Sequence, residues 1–113
     1  MATAFASRYH WSFVGEDEQR IISDWMISRA AAAVGEPNLA LLYAQRAYDA
    51  AQSTDVEDWL LASVAEGLTR AYAASGDIEA RAGWHAITED LISRIADRED
   101  RDLIASQLAS VPA

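Results

Sequence analysis

The sequence predicts an all-α fold of five or six antiparallel helices in a single domain spanning residues 1–113. Alanine supplies 24 of the 113 residues, and with only five Gly and two Pro the helix propensity is high almost throughout. Apolar residues also recur every three or four positions, which is the spacing of one helix face. Because only short segments separate these stretches, consecutive helices should lie side by side in opposite directions.

An aromatic segment opens the chain. Phe5, Tyr9 and Phe13 lie four residues apart, the spacing of one stripe along a helix predicted over residues 3–14. Trp11 points to a different side of that helix. Together these side chains cover more than one face of the helix, which is more apolar surface than a helix at the edge of a domain needs to bury. We therefore expect the second face to meet another subunit or a partner protein.

Two further helices are predicted on either side of Gly35, which can end the first of them. One spans residues 16–34 and has acidic residues in its first turn, and the next begins at Pro37, which suits a first turn. The buried stripe predicted for residues 16–34 comprises Ile22, Trp25, Met26, Arg29 and Ala33. The corresponding face of the next helix comprises Leu39, Leu42, Tyr43, Arg46, Ala47 and Ala50.

The strongest helix signal runs from residue 55 to residue 77. Thr54 and Glu57 have the spacing of a capping box, in which each side chain accepts a backbone N–H at the helix start. Gly76 offers the left-handed conformation that ends helices, and Asp77 can cap the following one. The apolar stripe of this central helix comprises Leu61, Val64, Ala65, Leu68, Ala71 and Tyr72.

Two shorter amphipathic segments complete the chain. A helix is predicted from Ile78, and a short one is predicted to begin near Asp97, a good N-cap, and to stop at Pro112. The apolar residues of the former are Trp84, Ile87, Leu91, Ile92 and Ile95. Those of the latter are Leu103, Ile104, Leu108 and Val111.

The composition argues against several functions. The chain contains no Cys, which excludes disulfides, thiolate metal sites and thiol catalysis. Its net charge is −9 and all nine basic residues are Arg, so binding to nucleic acid or to an anionic membrane surface is disfavoured. No stretch approaches the roughly 20 apolar residues of a membrane span. We therefore predict a cytoplasmic protein.

No constellation of residues predicts catalysis, a cofactor or a metal site. His85 and Glu89 lie one helical turn apart, but two ligands do not make a metal site, and a surface His beside a carboxylate is the simpler interpretation. The acidic residues between Asp97 and Asp102 lack the central Gly of a calcium loop and are typical of a solvated helix start. Serine-nucleophile and phosphate-loop motifs are absent. The sequence thus predicts a protein that is not an enzyme.

A resemblance to a known family lies around the glycine turns. In LTRAYAASGDIEARAGW, Leu68 and Tyr72 lie four apart, followed by Gly76, Asp77 and small residues where a second helix would pack closely. This segment resembles the turn region of a tetratricopeptide repeat, and Gly35 begins a similar turn at an offset of 41 residues, longer than the family's about 34. The chain also looks like a group of short bacterial proteins, chiefly through SDWMISRAAAAVGEPNLALLYAQRAY and EDRDLIASQLASVP. The resemblance implies stacked helical hairpins that bind other proteins through a groove between helices.

Arg29, Arg46 and Arg70 each fall on or beside an apolar stripe. One interpretation is a cationic lining in a groove that binds a partner's carboxylate or C-terminus. In the other, each stem covers apolar surface and each head pairs with a carboxylate of the domain. The carboxylates within reach are Asp24, Asp49 and Glu66. The overall negative charge favours the second interpretation, because it slows the approach of an acidic ligand.

Together these observations predict a non-enzymatic interaction module whose partner is a protein or peptide, with a second copy of the chain as one candidate. The residues predicted to contact this partner are Phe5, Tyr9, Trp11, Phe13, Arg29, Arg46 and Arg70. The alternative is a small-ligand-binding protein or weak enzyme with a pocket around His10, Trp11 and Trp25. A deep closed pocket would favour the alternative, whereas an open groove or an exposed apolar patch would favour the module.

Overall fold

The computed structural model of this chain describes residues 16–112. Within this range the fold is all-helical, with five α-helices and no strand. The helices are α1 (Glu16–Ala33), α2 (Pro37–Ser53), α3 (Asp58–Ser75), α4 (Ile78–Ser93) and α5 (Arg98–Ala109). None of these five is both long and apolar enough to cross a membrane. The predicted all-α class is confirmed for these residues, and the helix predicted over residues 3–14 lies outside them.

The two glycine turns have the same geometry. Gly35 and Gly76 have φ angles of 77° and 79°, the left-handed conformation that glycine adopts at little steric cost. In each turn the residue after the glycine donates its N–H to a carbonyl five residues earlier, over 2.9 Å from Glu36 and 3.2 Å from Asp77. These bonds satisfy carbonyls that a helix end leaves unpaired. Asp77 also caps α4 as predicted, because its carboxylate accepts the N–H of Ala80 at 3.1 Å.

The start of the central helix differs from the prediction. α3 begins at Asp58, three residues later than expected, and the capping box between Thr54 and Glu57 does not form. Thr54 is extended and follows the last turn of α2. The Glu57 carboxylate accepts the indole N–H of Trp59 at 2.6 Å, so it bonds to this side chain and not to the start of the helix.

α3 is the central helix of residues 16–112 and packs against the other four. Ten of its 18 residues are buried. Leu60, Val64 and Leu68, at intervals of four, pack on α1 and α2. Ala62 and Ala65 instead meet the apolar residues of α4 and α5. Val64, Ala65, Leu68 and Ala71 of the predicted stripe are therefore buried, whereas the buried Leu60 and Ala62 were not part of that prediction.

The C-terminal part of the described chain buries most of the residues that its apolar pattern indicated, but Ile87, predicted as an apolar member of α4, is 41% exposed. Members of this second part of the core include Leu91, Ile92, Ile95, Ile104, Leu108 and Val111. The hydroxyls of Thr69 and Thr88 lie 3.2 Å apart within the buried α3–α4 interface. Each hydroxyl also bonds to a carbonyl one turn earlier in its own helix, so neither buried group is left without a partner.

The buried faces of α1 and α2 match the predicted ones only in part, since Ala47 is buried as predicted and Ile22 and Trp25 are partly buried against the core. The buried residues of α1 are Ile21, Asp24, Ser28 and Ala31, and those of α2 are Ala40, Ala44, Ala47 and Ala51. Met26 and Leu42, both predicted to face the core, are exposed. The physical reason lies in the α1–α2 contact, where small residues meet and Ser28 donates its hydroxyl to the carbonyl of Ala40 at 2.8 Å. A satisfied polar group can be buried at little cost, so apolar content alone did not identify the inner face.

Candidate functional site

Glu66 is a fully buried carboxylate in the middle of α3. Arg29 of α1 donates Nη1 to Oε1 at 2.8 Å, and Arg70, one turn later on α3, donates Nε to Oε2 at 2.9 Å. Each carboxylate oxygen therefore accepts a charge-assisted hydrogen bond. Removing an unpaired carboxylate from water costs several kcal/mol, on the order of the whole stability of a small domain. The two guanidinium groups offset this cost and connect α1 to α3.

Trp25 of α1 lies against α3 at Gly67. A Cβ atom at this glycine would stand 3.0 Å from Cδ1 of the indole. The guanidinium of Arg29 lies 5.5 Å from the centroid of the same ring, within the range of a cation–π contact. The indole Nε1 is buried and makes no hydrogen bond within the described residues. The Trp25 ring thus lies beside the backbone of Gly67 and beside the guanidinium of Arg29.

Arg70 also contacts the end of α5. Its Nη2 donates to the carbonyl of Gln107 and to the hydroxyl of Ser110, both at 3.0 Å. Further along, Arg81 of α4 donates Nε to the carbonyl of Pro112 at 2.7 Å. The last carbonyls of a helix have no N–H donor in a following turn, so they are free to accept hydrogen bonds from side chains. Cations near them also interact favourably with the helix dipole. Two arginines therefore fasten the C-terminal end of α5 to α3 and α4.

Arg46 lies apart from the other two predicted arginines. Its Nε is 3.6 Å from the carboxylate of Asp24, and its guanidinium is 5.2 Å from the ring centroid of Tyr43. The structure thus brings Arg29 and Arg70 together at one carboxylate and gives Arg46 a separate one. All three heads pair within the domain, as in the structural interpretation, and their contact with a partner stays a prediction.

Five of the residues singled out from the sequence lie outside residues 16–112. They are Phe5, Tyr9, His10, Trp11 and Phe13. The predicted partner contact of the four aromatic residues therefore stays a prediction. The same holds for the alternative pocket, of which only Trp25 is described.

A shallow, open cavity of about 320 Å³ lies between α4 and α5. Its lining comprises His85, Glu89, Ile92, Ser93, Ala105, Leu108 and Ala109. Nδ1 of His85 lies 3.3 Å from Oε1 of Glu89, which is the pair noted in the sequence. Within residues 16–112 no three His, Asp or Glu side chains are grouped so that they could hold a metal ion. The cavity offers a mainly apolar surface with one polar pair, which differs from the converging polar groups of a small-ligand site.

The outer face of α2 is formed by Leu39, Leu42, Arg46 and Asp49, of which Arg46 alone was predicted from the sequence to contact a partner, whereas the two leucines were assigned to the core. These residues recur at intervals of three and four, so they form one row along the helix. Leu39 is 44% exposed and Leu42 is 54% exposed, whereas the fully buried residues of α2 are alanines, with Leu41 and Tyr48 partly buried against the core. A helix that is apolar on two sides is typical of one that is covered on both. The signal was present in the sequence, but both sides were assigned to one core-facing stripe.

Comparisons of the chain with protein-family models, curated proteins and solved structures found no match. The tetratricopeptide-like arrangement therefore remains an expectation, and the function has to be argued from the residues of the site.

Proposed function

We propose that this domain is a non-enzymatic interaction module that binds a protein or peptide through the outer face of α2. The observation that supports it is that two large apolar residues of this helix, Leu39 and Leu42, face solvent, while Leu41 and Tyr48 pack against the core. Ala40, Ala44 and Ala47 face the core, whereas Leu39 and Leu42 face solvent. A helix needed only for the core would place its larger apolar residues inward, where their burial contributes most.

The energetics favour a modest interface at this face. Complete burial of a leucine side chain contributes about 1.5–3 kcal/mol. Because Leu39 and Leu42 keep roughly half of their surface exposed, each retains on the order of 1 kcal/mol for a partner. The ring of half-buried Tyr43 adjoins this row and could add aromatic contact area. Such a patch suits a partner that binds reversibly.

A tetratricopeptide-like scaffold belongs to the same proposal. Its support is the pair of glycine turns, which share their φ angles and hydrogen bonds at an offset of 41 residues. Stacked hairpins of this kind expose extended helix faces, which repeat proteins use to bind other chains. The outer face of α2 would be one such surface.

The test is capture of binding proteins from the native host with three tagged chains. One chain is the wild type, one carries Leu39→Glu and Leu42→Glu, and the matched control carries Ile78→Glu and Ile87→Glu. The control changes two exposed aliphatic residues of α4 and adds the same charge. Circular dichroism and urea unfolding establish that all three chains are folded before capture.

We expect a protein that is captured by the wild type and the control and lost from the α2 variant. Its direct binding is then measured with the purified pair by calorimetry. If the captured proteins are the same for all three chains, the outer face of α2 is not the binding surface. If no specific protein is captured by any chain and none of the chains self-associates, the interaction module itself is refuted.

A further inference from the structure

We infer that the partner of the outer face of α2 is a second copy of this chain, bound about a two-fold axis so that the same face is buried in both copies. This inference rests on the proposed function and names the partner of that surface. In a two-fold contact the patch must be complementary to itself. The charge of α2 and the order of residues along it make this face complementary to itself.

α2 is the electrically neutral helix of the described part of the chain. Its 17 residues contain one basic residue, Arg46, and one acidic residue, Asp49. Each of the other four helices carries more acidic than basic residues. Two copies of a chain with a net charge of −9 repel each other over most of their surfaces. They can approach most closely where the local charge is balanced, and α2 is that place.

The charge of Arg46 is compensated within the domain, because its head lies beside the Asp24 carboxylate at 3.6 Å. The Asp49 carboxylate accepts Nε2 of the neutral Gln45 amide at 2.9 Å and keeps its negative charge. A second copy therefore meets a row on which the remaining charge is that of Asp49. Leu39 and Leu42 lie at the N-terminal end of the row, ahead of both charged residues. Pairing of these leucines across a two-fold axis leaves the charged residues at the rim, where interfaces usually carry them.

A partner of different chemistry would select another surface. A basic protein or peptide would be drawn to the acidic helices, such as the first turn of α1, where Glu16, Asp17 and Glu18 follow one another. A partner whose contacting surface is acidic would find the Arg46 head already beside the Asp24 carboxylate. The row contains two exposed leucines and one residue of each charge, so its apolar surface can pack against the same row of a second copy.

The first experiment is sedimentation velocity of the full chain over a series of concentrations and salt levels. We expect the sedimentation coefficient to rise with concentration, and the association to strengthen when ionic strength is raised from about 0.01 M to about 0.5 M, because salt screens the repulsion between the acidic copies. Leu42→Glu should abolish the concentration dependence. Ile87→Glu, which adds the same charge at an exposed position of α4, should retain it.

The second experiment uses the absence of Cys from the sequence. Leu42→Cys places a single thiol at the centre of the proposed contact, and Ile87→Cys places one outside it. Under mild oxidation we expect a disulfide-linked dimer to accumulate at least tenfold faster for Leu42→Cys. Equal rates for the two variants would overturn the two-fold contact at α2.

The outcomes separate this inference from the proposed function. A wild type that remains monomeric at every concentration and salt level overturns the second copy as partner, while capture that depends on Leu39 and Leu42 would still support the module. A dimer that persists in Leu42→Glu places the contact on another face and also overturns the inference. A monomeric wild type whose Leu42→Glu variant unfolds more readily would mean that this face is covered within the same molecule, which is a third contradictory result.

Discussion

Gly67 on α3 lies directly beside the indole of Trp25 on α1, so that a Cβ at the glycine would come within 3.0 Å of Cδ1. In an ordinary helix interior, replacing Gly with Ala stabilises by about 1 kcal/mol. Here the added methyl group opposes this gain, since the ring must move and Arg29 also contacts it. Overpacking of this kind costs about 1–3 kcal/mol.

The resulting prediction compares two glycines in two helices. Gly67→Ala should be less stable than Gly83→Ala by about 1–3 kcal/mol, because within residues 16–112 no atom beyond the neighbouring backbone of its own helix lies within 4 Å of a Cβ at Gly83. The Gly83 variant should itself be more stable than wild type by roughly 0.5–1 kcal/mol. Urea unfolding followed by far-ultraviolet circular dichroism measures both changes. Equal gains for the two variants would show that the Trp25 ring moves freely.

The buried carboxylate provides a second prediction. Glu66→Gln leaves the guanidinium groups of Arg29 and Arg70 beside a neutral amide, with two charges that have lost their counterion. We expect a loss of about 3 kcal/mol in the free energy of unfolding, at the lower end for a buried pair because Arg29 is partly solvated. The measurement is the urea midpoint at an unchanged m-value.

A surface ion pair serves as the control for Glu66. Asp90 accepts Nη2 of Arg94 at 2.7 Å, and both side chains are more than half exposed. Asp90→Asn should therefore change stability by less than about 1 kcal/mol. Similar losses for the two variants would mean that burial of Glu66 contributes nothing beyond the charge pair itself.

A third prediction concerns the attachment of α5. Arg70→Lys keeps a positive charge near Glu66, but one ammonium group cannot reach this carboxylate and the end of α5 as the guanidinium does. We expect faster hydrogen exchange of the backbone amides in the last turns of α5, with little change in α1 and α2. Arg94→Lys, in an exposed pair, is the control. Unchanged exchange in α5 would show that its apolar contacts hold it without Arg70.

Helix capping gives a fourth prediction. Asp77→Ala removes the carboxylate that accepts the N–H of Ala80 and should destabilise by about 1 kcal/mol. Thr54→Ala should cost less than about 0.5 kcal/mol, because Thr54 lies outside α3 and its predicted cap does not form. Thermal unfolding of the two variants measures the difference. A larger loss of stability for Thr54→Ala than for Asp77→Ala would show that Thr54 does cap the helix.

Much of the helix pattern could be predicted from the sequence because its signals are local. A glycine with a left-handed φ ends a helix wherever it lies in the fold, as Gly35 and Gly76 do. An Asp at an N-cap needs only the next turn, as at Asp77 and Asp97. The start of α3 was predicted incorrectly because another side chain, Trp59, competes for the carboxylate that should have capped it.

The inner faces of α1 and α2 could not be predicted because they depend on the neighbouring helix. Both helices carry apolar residues on more than one side, and the choice between sides follows from contacts such as that of Ser28 with the Ala40 carbonyl. The sequence offered three carboxylates as partners for the three arginines, but it did not indicate which arginine pairs with which carboxylate. Convergence of Arg29 and Arg70 on Glu66 requires α1 and α3 to be side by side, which local spacing cannot indicate.

The alanine-lined interior of α2 has a consequence for how this protein can change. The buried alanine methyl groups on one side of α2 pack closely against α1 and α3. Leu39 and Leu42 project into solvent from the opposite side of the same 17-residue helix. Under the proposed function, substitutions at Leu39 or Leu42 alter partner binding while the folding of the domain remains intact. In that proposal, changes confined to this solvent-facing row would redirect binding and leave the buried alanines of α2 unaltered.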